Sequence, residues 1–206
     1  MSGTFPIASA KFSTLGIKSL QTTIISKSLS GKKLARQIDN QRWIFTVKII
    51  TGTRSSIYGE LIAFILKQRS GKENFTITPP EIKDARGHET GTILVNGSHS
   101  VGDTTIDIDG HHNNSPNAFR SGDFIKFASH SKVYMIINDV NPVSNASTIT
   151  IEPPLISALT DNSIVTYDDV PFNVHLTTDL QEFGAANLTS DGKLLFEYQF
   201  DVEESL

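Results

Sequence analysis

The chain has 206 residues, 38% of them hydrophobic, which is enough for one sizeable core or two small ones, and its formal net charge is -4. It has no cysteine, which excludes disulfides, thiolate catalysis and cysteine-ligated metal centres. No apolar run reaches the roughly 20 residues of a membrane-spanning helix, and the opening Met1-Ser2-Gly3-Thr4-Phe5-Pro6 lacks the charged and apolar regions of a secretory signal, so a soluble chain made in the cytoplasm is expected.

Ile17 to Ser28 is rich in β-branched residues and ends in Ser-Leu-Ser-Gly-Lys, a turn composition, so it is expected to be one strand. Leu34–Ile38 and Trp43–Ile50 follow as strands, the second with Trp43, Phe45, Val47 and Ile49 on one core-facing side. Thr53 is a candidate N-cap for a helix over about residues 54–70, in which Ile57, Leu61, Phe64 and Ile65 share a face. Lys67 and Arg69 suit the negative end of the helix dipole, and Gly71 is the expected left-handed terminator. After Phe75–Thr78, Pro79-Pro80 ends any pairing, because neither residue can donate a ladder hydrogen bond.

From Gly91 to Tyr167 the pattern changes to short strands between turns: 92–95, 105–108, 124–127, 133–137, 148–151 and 164–167. About six strands without a helix predict a small barrel, OB-like, or a sandwich. Phe172, Val174 and Leu176 then alternate, and Leu194 to Val202 alternates without interruption. Such a half-buried strand needs a sheet, and the first region supplies one. The expected fold is mainly β with one α-helix. Residues 1–85 and 169–206 form a discontinuous, sandwich-like core domain, and 86–168 form an inserted all-β domain.

The small net charge conceals a division: residues 1–87 carry 14 Lys/Arg and 5 Asp/Glu (+9), whereas 88–206 carry 4 and 17 (-13). Only Lys32, Lys33 and Arg36 are closely grouped, and no aromatic residues alternate with them as a single-strand nucleic-acid groove requires. A solvated surface is the preferred reading over sequence-specific nucleic-acid binding, with complementary subunit surfaces next. Lys32, Lys33 and Arg36 are accordingly the candidate subunit-interface residues.

Candidates for chemistry are few, and no catalytic, cofactor or metal residue is assigned. Asp103, Asp107, Asp109, His111 and His112 are the densest polar group, but Gly110 is followed by His111-His112-Asn113-Asn114-Ser115-Pro116, which fits no EF-hand. Adjacent histidines on an extended chain point apart, so a solvated turn is preferred over a metal site. His88-Glu89 could act as an acid–base pair, but no nucleophile or third member accompanies it. His99, His130 and His175 stand singly, with His175 expected to face outward. There is no GxSxG elbow, and Gly52, Gly59 and Gly71 fit no phosphate loop. Trp43, beside Phe45, could stack a sugar, but its alternation with Val47 and Ile49 favours burial.

Several short runs carry a resemblance: Gln41-Arg42-Trp43, Thr53-Arg54, Ile62-Ala63-Phe64-Ile65, Gln68-Arg69-Ser70-Gly71, Phe75, Pro79-Pro80 and Arg86-Gly87. Further along come Gly122-Asp123-Phe124-Ile125, Lys132-Val133-Tyr134-Met135-Ile136 and Ile151-Glu152-Pro153-Pro154-Leu155. Together they resemble the distal tail proteins of tailed bacteriophages. The resemblance implies a non-enzymatic virion protein of the tail. Its β core would assemble into a homo-oligomeric ring, typically a hexamer, joining the tail tube to the tail tip or baseplate hub. The insertion would be an OB-like or galectin-like domain on the outer side, where host surface glycans are a candidate partner. The +9 and -13 halves suit ring closure by heterologous contacts. Two other classes stay open: a tail-associated carbohydrate-binding module and a cell-envelope hydrolase built on two separated carboxylates.

Overall fold

The structure is a computed structural model and describes residues 3–6, 11–112 and 116–206. The fold is mainly β with a single α-helix among the described residues, a sandwich-like core and a barrel-like sheet. The core sheet has the order β1 (Phe12–Leu20), β4 (Arg42–Thr53), β14 (Leu194–Glu204), β12 (Phe172–Leu176) and β5 (Phe75–Ile77), with β13 (Gly184–Leu188) against β14. Strand β14 returns from the far end of the chain and pairs antiparallel with β4 from Leu195 opposite Thr53 to Glu203 opposite Ile44.

Alternation sets the inner face of this sheet. Trp43, Phe45, Val47 and Ile49 are all buried, together with Tyr198, Phe200 and Val202 of β14 and Val174 and Leu176 of β12. The helix packs on that face, but it begins differently from expectation. A π-helical turn, Arg54–Tyr58, precedes α1 (Gly59–Lys67). The wider turn rotates the stripe, so Tyr58 is fully buried with Leu61 and Ile65, and Ile57 is only half-buried. Gly71 is not the left-handed residue. Arg69 and Ser70 take positive φ, and Gly71 is needed because a Cβ there would stand 2.6 Å from the Leu176 carbonyl oxygen.

The expected strand over 17–28 is two strands. Strand β1 stays in the core sheet, whereas β2 (Thr23–Lys27) leaves it and pairs only with β3 (Lys33–Gln37). β13 was not expected: Gly-Ala-Ala-Asn-Leu has no β-branched residue, and it is held by pairing with β14.

Between β5 and β12 lies the second sheet, in the order β11 (Val165–Thr166), β8 (Phe124–Phe127), β9 (Val133–Ile136), β10 (Ala146–Glu152), β7 (Thr105–Asp109) and β6 (Leu94–Val95). A bridge between Leu94 and Ile164, with Val165 N donating to the Ile93 carbonyl, nearly closes it into a barrel. Its interior is a separate apolar cluster that includes Ile106, Ile108, Phe119, Phe127, Tyr134 and Ile149. Arg86-Gly87 runs tightly beside the chain at 117–118. A Cβ at Gly87 would lie 1.9 Å from the Ala118 carbonyl oxygen, and the Asp123 carboxylate accepts from the Arg86 backbone N–H and Nε.

The barrel joins the core through a buried seam. Trp43 stacks edge-on to Phe124 and donates from Nε1 to the Val133 carbonyl at 2.9 Å. Lys132 forms an ion pair with Glu204, both fully desolvated, and also donates to Gln41 Oε1 at 2.7 Å. Glu204 accepts from the backbone N–H of Val133 at 2.8 Å and of Trp43 at 3.2 Å. Burial lowers the Lys132 ammonium and raises the Glu204 carboxyl, so the pair stands on its mutual attraction and these extra bonds.

Candidate functional site

The candidate interface residues Lys32, Lys33 and Arg36 all lie on the β2–β3 hairpin, a free-standing arm. Every residue of both strands is exposed. The turn is held by Ser28, whose backbone N–H donates to the Lys32 carbonyl and whose Oγ accepts from Lys32 N, while Gly31 supplies a positive φ. Register places Lys33 opposite Lys27, Ala35 opposite Ile25 and Gln37 opposite Thr23 on one face. Arg36 opposite Ile24 and Leu34 opposite Ser26 occupy the other. Lys33 and Arg36 therefore project from opposite faces and do not form the single patch their spacing suggested. Each face combines cation and aliphatic chain, with Ile24 at 57%, Ile25 at 58% and Leu34 at 51% exposure.

A two-stranded hairpin gains little stability of its own in water, and Lys27 directly opposite Lys33 adds like-charge repulsion. At its base, Gln37–Gln41 and the barrel loops at Val101, Gly102 and 153–156 line an open cleft of about 540 Å³.

No family model matches the chain, and no curated protein matches it.

Among the described residues no group of three or more His, Asp or Glu side chains could hold a metal ion. The dense polar group disperses. Asp103 accepts from Ser100 N, and Asp107 accepts from Thr148 Oγ1 on the barrel's outer side. Asn113, Asn114 and Ser115 of that run lie outside the described residues. His111 departs from the expected solvated turn: its side chain is buried beside Phe119. His130 is also buried, bonded through Nδ1 to the Tyr134 hydroxyl at 2.8 Å, and burial holds its imidazole below its ordinary value. His175 is half-buried between Val174 and Leu176 and meets Ser205 Oγ at 2.8 Å.

His88 and Glu89 do not act together. Glu89 turns inward to His111, with Oε2 2.5 Å from Nδ1, and Ser147 Oγ lies 2.8 Å from His111 Nε2. The backbone N–H groups of Thr90, Gly91 and His112 donate to Glu89 Oε1. Burial alone would raise this carboxyl, but His111 and those three donors outweigh it and hold the group below its ordinary range. The sequence contained one usable sign of Ser147: it shares strand parity with the buried Ile149 and Ile151 of β10.

No helix among the described residues is long and apolar enough to cross a membrane.

Proposed function

We propose that the chain is a structural protein of a bacteriophage tail, closing into a ring of identical copies that joins the tail tube to the tail tip or baseplate hub. The tail role rests on the likeness to distal tail proteins, and the observation that supports self-assembly is the β2–β3 arm: a hairpin exposed on both faces, cationic and aliphatic, extending from the edge strand β1. An arm that leaves its own fold and docks on the next copy is a heterologous contact, and repeated heterologous contacts close a ring when the rotation permits. Six copies is the number implied by the likeness to distal tail proteins.

The role needs no catalytic step.

Sedimentation of the full chain in low and high salt tests this reading. The expected result is an oligomer that loosens at high salt and is abolished by Ile24→Ser with Ile25→Ser. A monomer under both conditions, or an oligomer indifferent to those substitutions, contradicts it.

A further inference from the structure

Glu89, His111 and Ser147 come from three separate segments of the barrel and form one continuous chain of hydrogen bonds: carboxylate, imidazole, hydroxyl. A histidine buried only for packing needs partners for its two ring nitrogens, and any pair of polar atoms would serve. Here the partners have a particular order. The carboxylate accepts three backbone N–H groups on one oxygen, which keeps it ionised and fixes the other oxygen on His111 Nδ1. An ionised carboxylate can only accept, so in the neutral imidazole Nδ1 carries the proton and Nε2 presents its lone pair to Ser147 Oγ. The imidazole is closed off by Phe119, ring to ring at 6.1 Å, while Ser147 is partly exposed at the end of β10. An oriented base behind a hydroxyl is the arrangement that makes a serine nucleophilic.

We propose that Ser147 is an activated nucleophile that accepts an acyl group from small esters, with His111 as its general base and Glu89 as the residue that positions His111. In the first half-reaction Ser147 Oγ bonds to the ester carbonyl carbon and its proton passes to His111 Nε2. The carbon–alkoxide bond then breaks, and the alcohol leaves with that proton. In the second, water adds to the acyl carbon, again giving a proton to His111. The bond to Oγ breaks, Ser147 recovers the proton and the carboxylic acid leaves. The acyl group is small because Ser147 is only partly exposed and shares its strand face with Ile149 and Ile151. This capacity is independent of ring closure, since none of the three residues lies on the arm.

The test uses the full chain and a fluorophosphonate probe, read as an adduct on the peptide containing Ser147. Folded wild type is expected to label at Ser147, with no adduct there after heat denaturation. His111→Gln is expected to slow labelling about a hundredfold, the lower end of what a general base contributes. Glu89→Gln keeps the shape of the positioning residue and tests orientation, with labelling slowed at least about tenfold. Nitrophenyl acetate hydrolysis is expected to fall to the uncatalysed rate in Ser147→Ala, a substitution that retains the strand. Folded wild type unlabelled at Ser147, labelling equally fast in His111→Gln, or ester hydrolysis unchanged in Ser147→Ala each overturns the proposal.

Discussion

The seam between core and barrel depends on a few residues whose polar atoms are all accounted for. Removing one member of the Lys132–Glu204 pair leaves the other buried without its counter-charge. Lys132→Met should therefore destabilise the fold by about 3–5 kcal/mol, and the double change Lys132→Met with Glu204→Gln by less, because no charge is then stranded and the glutamine oxygen can still accept one of the backbone N–H groups of Val133 and Trp43. Urea unfolding of the three proteins measures this directly. Trp43 is the only tryptophan, buried at 7% exposure in the same seam, so its fluorescence reports on that contact. Its emission should be blue-shifted in the native protein and move red in step with loss of the seam.

Acid sensitivity also belongs to single residues. Burial keeps the His130 imidazole below its ordinary value of 6.5, so the unfolded chain binds that proton more tightly than the folded one. The stabilisation is complete above 6.5 and declines as pH falls through the folded value. Glu89 behaves in the same sense lower down, its contribution present above 4.5 and lost as pH falls through its depressed value. Urea midpoints measured across pH should fall on acidification below 6.5, and His130→Gln should flatten that part of the curve.

At the scale of elements, strands were legible where burial is one-sided. The alternation of Trp43 to Ile49 and of Leu194 to Val202 identified β4 and β14, because the sheet buries one face and leaves the other polar. Three features were not legible for physical reasons. The π-helical turn changes the helix period locally, which puts the fully buried Tyr58 in the core while Ile57 packs at its edge, half-buried. The break at Gln21-Thr22 contains neither glycine nor proline, so composition reads β1 and β2 as one strand although they belong to different sheets. The cluster of Glu89, His111 and Ser147 depends on approach between residues 22 and 36 positions apart, which local spacing does not encode.

The sequence grouped Lys32, Lys33 and Arg36, which lie on one hairpin, but only register shows that its two faces share the charge. Gly87 provides the sharpest test of element packing. Gly87→Ala places a Cβ against the Ala118 carbonyl, so it should cost at least about 1–3 kcal/mol, like other overpacked sites. An unchanged thermal midpoint would show that the 86–89 segment can move away from 117–118.

For the whole molecule, the contrast is between a barrel and core locked by a buried seam and an arm whose two strands are exposed along their whole length. In the proposed ring each arm would make one contact with the next copy, and if the +9 and -13 halves meet there, salt should weaken it. Substitutions on the arm should leave monomer unfolding within about 0.5 kcal/mol of wild type, as exposed positions usually do, while changing assembly.

Electron microscopy of the purified full chain, at high protein concentration and low salt, tests ring closure most directly. Closed rings of uniform size are expected from wild type, and dispersed single copies from Ile24→Ser with Ile25→Ser. Single copies from wild type under those conditions, or rings that persist unchanged in the arm variant, would contradict it.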